Sequence, residues 1–487
     1  MCGLAAVSGM AGEIDVATMI ARQQHRGPDG VGFAEAGLEG VKLGHCRLAI
    51  IDPAEGRQPL RGSGATLVAN GMIYNDRLLR RRLTDAPYTT LSDSESILHS
   101  VATEGLDAVS RLDGMFAFVL SGADGLIAAR DPLGIKPLYM GRSGEGIAFA
   151  SEIKALAGVV ETITEFPPGH VFDGVRGLTR YYAVPDAPPA AWDIDRAIAA
   201  LRATLEAAVV KRLRSDVPFG ALLSGGLDSS VIAAIASRHV PDLKTFAVGL
   251  PGSADLAAAR QVAAFLGTDH RELVVAPEAV TAALPDILYH LESYDQDLVR
   301  SAVPCWFVAE FAAREVKVVL TGEGADEIFA GYAYYRDIDD PEALHAELRR
   351  SVGAMHNVNL QRVDRMTMAH GLEARVPFLD TAMIELGLSL PPEWKLRPVG
   401  DRRIEKWILR QAFADMLPEE IVWRDKVQFD QGSGFDRLLS SAAPETPANG
   451  ARSREEAHYE TLLSARFDRP EAILDLVAHW ADRPETR

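Results

Sequence analysis

The chain has 487 residues, 47% of them hydrophobic and 24% charged, with a formal net charge of −18. That length exceeds one ordinary core, so two or three globular domains are expected. The acidic balance argues against nucleic acid or an anionic membrane as partner, since both need clustered Lys and Arg. Runs such as Arg80-Arg81-Arg82 are short and read as a solvated helix face. Cys2, Cys46 and Cys305 are too few for a disulfide framework and suit a reducing compartment. No charged-then-apolar leader opens the chain, and no run of about 18 apolar residues occurs. A cytoplasmic enzyme is therefore expected.

From residue 1 to about 180, short apolar runs alternate with Gly, Asp and Pro, as in Leu67-Val68-Ala69, Met115–Leu120 and Gly125–Ala129. These are strand-length. Helices are predicted near Val16–Gln24 and Ser94–Glu104. Residues 1–184 thus read as a sheet-rich α+β domain, and the Pro- and Ala-rich residues 185–192 as a linker. An amphipathic helix is predicted over Asp193–Leu213. Beyond it strands alternate with helices: Gly220–Leu223 and Ser229–Arg238, Thr245–Gly249 and Asp255–Leu266, Val316–Leu320 and Asp326–Tyr332. That alternation predicts an α/β domain over residues 193–487, with a parallel sheet covered on both faces. Ser440–Ser453 reads as a mobile segment.

Leu223-Ser224-Gly225-Gly226-Leu227-Asp228-Ser229-Ser230 follows an apolar strand and opens a helix. Its glycines let backbone approach a pyrophosphate, and the N–H groups of a helix start attract the anion. The lysine of G-x-x-x-x-G-K-[ST] is missing. A carboxylate beside phosphates, Asp228, makes sense as a Mg²⁺ ligand. Thr321-Gly322-Glu323-Gly324-Ala325-Asp326-Glu327 ends another strand, on the rim where open α/β sheets bind ligands. Two acidic clusters on one rim point to a metal on Asp228 and Asp326, with Glu323 near the reacting centre. Helix capping is the alternative; it accounts for Asp326 better than for the Gly-Glu-Gly ahead of it.

The chain opens Met1-Cys2-Gly3. With the methionine removed, Cys2 carries an α-amine of pKa ~7.7–8.0 beside a thiol of ~8.5, so the amine can take the thiol proton. Such a thiolate attacks an amide carbonyl, releases ammonia and leaves a thioester. Asn70-Gly71 offers a side-chain amide and a flexible N–H as oxyanion donors. Arg47 and Asp93 are candidates for the carboxylate and the amine of a glutamine substrate. A retained methionine would block the amine.

Ser224–Ser229 resembles the S-G-G-x-D-S loop of ATP pyrophosphatases, which cleave ATP between its α and β phosphates. Cys2-Gly3, His25-Arg26-Gly27-Pro28-Asp29, Arg47–Asp52, Asn70-Gly71 and Arg130–Gly134 resemble a class II, N-terminal-nucleophile (Ntn) glutaminase. With Thr245–Gly249, Met366–His370, Glu373–Asp380 and Trp423–Lys426, the span from residue 2 to about 436 resembles the glutamine-hydrolysing asparagine synthetases. The resemblance implies stacked antiparallel sheets between helices, followed by a parallel-sheet ATP-pyrophosphatase domain. It implies that Cys2 hydrolyses glutamine held by Arg47, Ile50, Asn70, Gly71 and Asp93. Ammonia then travels inside the protein, where water would protonate it less readily. Leu223, Val248, Thr321 and Gly322 would contact ATP, and Ser224, Gly225, Gly226, Asp228 and Ser229 its phosphates. Aspartate, near Arg300 and Glu323, would be adenylated and then aminated, giving asparagine, glutamate, AMP and pyrophosphate. Lys426 would stabilise the intermediate or the pyrophosphate.

Two positions depart from the family pattern. Asn-Gly-Glu-Ile-Tyr-Asn becomes Asn70-Gly71-Met72-Ile73-Tyr74-Asn75. Loss of that Glu predicts weaker glutamine binding, by ~1–3 kcal/mol for an under-bonded ammonium. Thr-Thr-Ile-Arg becomes Asp297-Leu298-Val299-Arg300. A carboxylate near a dianionic aspartate costs about 1–4 kcal/mol. The acceptor is then a less anionic carboxylic acid, or the loop is displaced and Asp297 faces solvent. An intramolecular amide former has no use for the ammonia of Cys2. A non-catalytic homologue has no use for Cys2, Asn70, Asp228, Glu323 and Asp326 together. A sulfur-transfer or tRNA-modifying enzyme would show basic surface and paired cysteines. No residue fixes the oligomeric state; a homodimer is compatible with all of them.

Overall fold

The computed structural model describes residues 2–10, 15–36, 40–123, 125–186, 188–442 and 454–479. Most of the Ser440–Ser453 segment lies outside them. The N-terminal half contributes β1 (Cys2–Ser8), β2 (Gly30–Glu35), β3 (Lys42–Arg47), β4 (Leu60–Gly62), β5 (Ala65–Ile73), β6 (Gly114–Gly122), β7 (Gly125–Arg130), β8 (Tyr139–Ser143), β9 (Gly146–Ala150), β10 (Thr162–Glu165), β11 (His170–Asp173) and β12 (Gly177–Arg180). They form two antiparallel sheets, ordered β10-β8-β9-β1-β3-β2 and β12-β11-β7-β6-β5-β4.

Side chains alternate along each strand, so each sheet has two faces to bury. The inner faces meet through Leu4, Ala6, Leu43 and Phe149 on one side and Val68, Ala117 and Val119 on the other. The Val16–Ala21 helix packs on the outside of the first sheet, where a Cβ at Gly44 would meet Val16 and Ile20. The Glu95–Glu104 helix covers the second, its Ile97, Leu98 and Val101 against Leu67, Ala69, Phe116 and Phe118. Stacked sheets between helices result.

The C-terminal half adds β13 (Phe219–Leu222), β14 (Lys244–Gly249), β15 (Asp269–Val274), β16 (Val318–Leu320) and β17 (Glu373–Arg375). These form one parallel sheet, ordered β15-β14-β13-β16-β17. The order reverses at β13, so a crevice opens at its carboxyl end between the strand connections. The long helix runs Ile194–Lys211, capped by Asp193, whose carboxylate accepts from the N–H groups of Asp195 and Arg196. The helix after β13 starts at Leu227, two residues before its sequence expectation, and so places Asp228 in its first turn. Among the described residues no helix is long and apolar enough to cross a membrane.

One element is shorter than its pattern predicts. The helix expected over Asp326–Tyr332 runs only Ala325–Ile328. Ala330 then takes a left-handed φ of 57°. At the next residue, a Cβ on Gly331 would lie 1.9 Å from Asp326 Oδ1 and 2.3 Å from Lys406 Cε. The helix breaks because Lys406 arrives there from a distant part of the chain.

Buried charge joins the two halves. Arg26 Nη1 meets Glu152 Oε1 at 2.9 Å, and Nη2 meets Asp364 Oδ2 at 2.8 Å. Arg365 spans Glu152 (3.0 Å) and Glu292 (2.8 Å). Glu292 also accepts from the N–H groups of Ile153 (3.1 Å) and Lys154 (2.7 Å). Stranding one member of a buried pair costs about 3–5 kcal/mol, so these contacts fix how the halves sit together.

Lys395 is different. It is fully buried, and its Nζ has no hydrogen-bond partner among the described residues. Burial pulls its pKa down from 10.5 to about 7. The unfolded lysine holds its proton to about 10.4, so below that value folding must discharge or bury a cation. Lys395→Met is therefore expected to raise the unfolding free energy by a few kcal/mol at pH 7, with the gain shrinking towards pH 10. Urea unfolding at both pH values checks this; a variant less stable than the parent at pH 7 contradicts it.

Candidate active sites

Strand register builds the first site. The β1–β3 ladder sets Cys2 opposite Arg47. From the second sheet, Asn70 on β5 reaches across: Cys2 N donates to Asn70 Oδ1 at 3.0 Å. Asn70 is fully buried, and its Nδ2 has no hydrogen-bond partner among the described residues. A free amide donor therefore stands beside the cysteine. Gly71 has φ 154°, and a Cβ there would fall 2.0 Å from the Met115 carbonyl oxygen, so only glycine lets β5 run this close to β6. Burial pushes the Cys2 thiol up. The positive chain terminus, a bond from the Leu48 N–H and the Arg47 guanidinium oppose that rise.

Arg47 is held at its tip by the carbonyls of Ile51 (3.2 Å), Asp52 (2.6 Å) and Pro53 (3.0 Å). Ile50 is buried, and its carbonyl accepts from the Asp216 N–H at 3.2 Å, which ties this loop to the C-terminal half. Asp93 is buried and accepts from the Ile73 N–H at 2.7 Å. Burial still dominates and pushes its pKa up to about 6. Met72 lies on the same face of β5 as Asn70, 1% exposed, within the apolar cluster that holds Met115, Leu133 and Ile135.

The second site is a cavity of about 350 Å³ at the carboxyl ends of β13, β14 and β16. Leu223, Ser224, Gly226, Asp228, Ser229, Val248, Thr321, Gly322, Glu323, Asp326 and Lys426 all line it. The Ser229 hydroxyl accepts from the Ser224 N–H at 3.2 Å and meets Ser224 Oγ at 3.0 Å, closing the loop on itself. Gly322 packs backbone to backbone: a Cβ there would lie 2.8 Å from Ser229 N. Gly225 does not face the cavity. At φ 72° it turns towards the Ala254–Leu266 helix, where a Cβ would meet Ala258 and Ala259 at 2.5 Å.

Two lysines hold the two acids. Lys406 Nζ lies 2.5 Å from Asp228 Oδ2 and 2.6 Å from Asp326 Oδ1. Lys426 Nζ lies 2.7 Å from Asp326 Oδ2 and 3.9 Å from Asp228 Oδ2. The lysines hold the Asp326 carboxyl well below the usual carboxylate range, and the acids push Lys426 up. Sequence reading missed Lys406. Ile404-Glu405-Lys406-Trp407 carries no signal, and the residue reaches the cavity only because its backbone takes a left-handed φ of 55°. Asp228 Oδ1 is buried without a hydrogen-bond partner among the described residues. A hard, unfilled carboxylate oxygen beside a phosphate-type loop fits Mg²⁺.

On the opposite wall, Arg362 pairs with Glu323, whose pKa burial pushes up. Arg300 is not brought here. Its Nε meets Glu455 Oε2 at 2.8 Å and its Nη2 meets Ser440 Oγ at 2.8 Å, outside the cavity lining. The helix period explains this. Asp297, Leu298, Ser301, Cys305 and Val308 line the cavity from one face of the Gln296–Ala313 helix, and Arg300 falls off that face. Asp297 sits exposed at the rim. Sequence reading missed Ser301, Cys305 and Val308, which the helical spacing 297-301-305-308 could have found, and it missed Arg362, which carries no such signal.

Comparison with known proteins places these features in one context. The family profile described as glutamine amidotransferase domain matches residues 1–183, and that of asparagine synthase matches 200–340 and 336–483. The chain is 40% identical over 517 residues to asparagine synthetase [glutamine-hydrolyzing] 2 of Arabidopsis thaliana, covering 97% of this chain and 88% of that one. It is 40% identical over 512 residues to the asparagine synthetase [glutamine-hydrolyzing] of Asparagus officinalis, covering 96% and 86%. With both halves matched in order along nearly the whole length, this chain belongs to the glutamine-hydrolysing asparagine synthetase family.

Proposed function

We propose that the chain makes asparagine by transferring ammonia, released from glutamine at Cys2, to an adenylated aspartate in the second cavity. The observation that carries the first half is the Cys2–Asn70 contact, with Asn70 Nδ2 lacking a hydrogen-bond partner among the described residues. Once Met1 is removed, the Cys2 nitrogen held by Asn70 Oδ1 is the terminal amine, placed to take the thiol proton. The thiolate attacks the glutamine amide carbon, and Asn70 Nδ2 and the Gly71 N–H receive the oxyanion. Ammonia leaves, and water cleaves the thioester to glutamate. Arg47 takes the substrate carboxylate. With Met72 where the family carries Glu, Asp93 is the anion left for the substrate amine.

In the second cavity, Leu223 and Val248 flank the nucleotide while the Ser224–Ser229 loop holds its phosphates. Asp228 and Asp326 would hold Mg²⁺, which screens phosphate charge. Lys406 and Lys426 turn from those acids to the departing pyrophosphate. The acceptor carboxylate attacks the α-phosphorus; ammonia then displaces AMP. Glu323, its pKa raised, accepts the proton that the attacking ammonia sheds. Arg362, not Arg300, is the cation for the acceptor. A second reading, a less anionic carboxylic acid in place of aspartate, is favoured by Asp297 at the rim and by Arg300 being taken by Glu455.

An acceptor screen with ATP and ammonium, read as AMP and pyrophosphate, separates the two. Aspartate is expected to turn over best, with Arg362→Ala lowering kcat/KM about a hundredfold and Arg300→Ala by less than about threefold. A monocarboxylic acid turned over at least about tenfold better than aspartate establishes the second reading instead.

Asp93 sets the acid limb of glutamine use. Its carboxylate is charged above about pH 6 and loses that charge as pH falls through that value. The glutaminase kcat/KM is expected to fall below about pH 6 through a rising KM, and Asp93→Asn to raise KM above that pH, converge with the parent below it and remove that limb. A limb unchanged in Asp93→Asn contradicts this.

A further inference from the structure

The Asn359–Met368 helix belongs to the C-terminal half, yet it serves both sites. Successive residues of a helix turn by about 100°, so Arg362 and Asp364 point in nearly opposite directions. Arg362 faces the second cavity and pairs with Glu323. Asp364 faces the first half, where its Oδ2 lies 2.8 Å from Arg26 Nη2 and its Oδ1 3.4 Å from Lys136 Nζ. Arg365 reaches Glu152 and Glu292 and donates to the Ser151 carbonyl at 3.0 Å.

Arg26 converts this contact into a hold on the nucleophile. Its Nε donates to the Cys2 carbonyl oxygen at 3.1 Å, its Nη1 meets Glu152, and its Nη2 meets Asp364. Nε and Nη1 are hydrogen-bonded, Nη2 is held by the charge of Asp364 at 2.8 Å without hydrogen-bond alignment, and the orientation of the guanidinium follows from where the two acids stand. Arg26, Asp364 and Arg365 are at most 2% exposed, so water does not substitute for any of these partners. Cys2 begins β1, where the ladder to β3 holds one edge of the residue and Arg26 its carbonyl.

We propose that Asp364 is a positioning residue of the glutaminase reaction, acting from the other half of the chain through Arg26 on the Cys2 carbonyl. The proposal rests on the reading of Cys2 as the glutamine nucleophile. Asp364 touches neither substrate. Its loss leaves Arg47, Asn70 and Asp93 in place, so it alters how the thiolate meets the amide rather than how glutamine binds. Glutamine hydrolysis in this chain then depends on a side chain that moves with the synthetase wall carrying Arg362.

The test is Asp364→Asn in the full chain, with Asp364→Glu beside it. Small displacements of a reacting group cost about tenfold to a hundredfold. Asp364→Asn is expected to lower kcat for glutamine hydrolysis by that factor, with the glutamine KM within about threefold of the parent. Amide synthesis from ammonium, which bypasses Cys2, is expected to stay within about twofold, and Asp364→Glu to regain most of the lost kcat. Unchanged glutamine hydrolysis in Asp364→Asn overturns the proposal. So does a parallel loss of ammonium-dependent synthesis, which assigns the ion pair to holding the fold. A parent chain that hydrolyses no glutamine overturns the reading of Cys2 itself, and the proposal with it.

Discussion

Charge taken out of water between the two halves is the constraint on which the rest depends. Glu152 is 1% exposed and meets Arg26, Lys154, Arg365 and His25. Those partners hold its carboxyl well below the usual range. Ions moved into a protein interior cost several kcal/mol each, recovered only when geometry and hydrogen bonds are good. A shift of one half against the other by a single residue would strand at least one of these groups. Apolar contact tolerates sliding; a buried lattice of paired charge does not. The two sites therefore sit in one fixed relation, with Cys2 on one side of the lattice and Glu323 on the other.

Each site repeats this logic on a smaller scale. In the first, a strand pairing brings Cys2 and Arg47 together, and a contact between sheets supplies Asn70. In the second, two carboxylates that would repel each other are held by Lys406 and Lys426. The same four groups suit a magnesium nucleotide, because the acids can turn to the metal while the lysines turn to phosphate. Neither arrangement requires long-range motion. Both place polar groups in low dielectric, where a few well-aimed donors outweigh many exposed ones.

Much of this was legible in the residues. Apolar runs broken by Gly and Asp marked the strands of the sheet-rich half, and alternation after residue 193 marked the parallel sheet. Ser224–Ser229 and Asn70-Gly71 stood out because glycine beside a polar side chain is seldom a packing choice. What could not be read was set by distance in the chain. Lys406 reaches Asp228 and Asp326 through a left-handed backbone turn in an ordinary-looking stretch. The truncation of the helix at Ile328 follows from that arrival, against a helical pattern that continued to Tyr332. Arg300 was read from motif position alone, whereas helix period turns it to Glu455 and leaves the cavity to Arg362. The charge lattice was invisible for the same reason: Arg26, Glu152, Glu292 and Asp364 are far apart in sequence, and each alone looks like a surface residue.

Under the proposed function, nitrogen released at Cys2 is delivered within the molecule to an activated carboxylate in the second cavity. Amide-¹⁵N glutamine, supplied with ATP, magnesium, aspartate and an excess of unlabelled ammonium, tests it directly by mass spectrometry of the product. The asparagine side chain is expected to carry the label well above its share of the mixed pool, with AMP formed in at least the amount of glutamate. Product nitrogen that matches the bulk ammonium pool, or glutamate released without matching AMP, would contradict it.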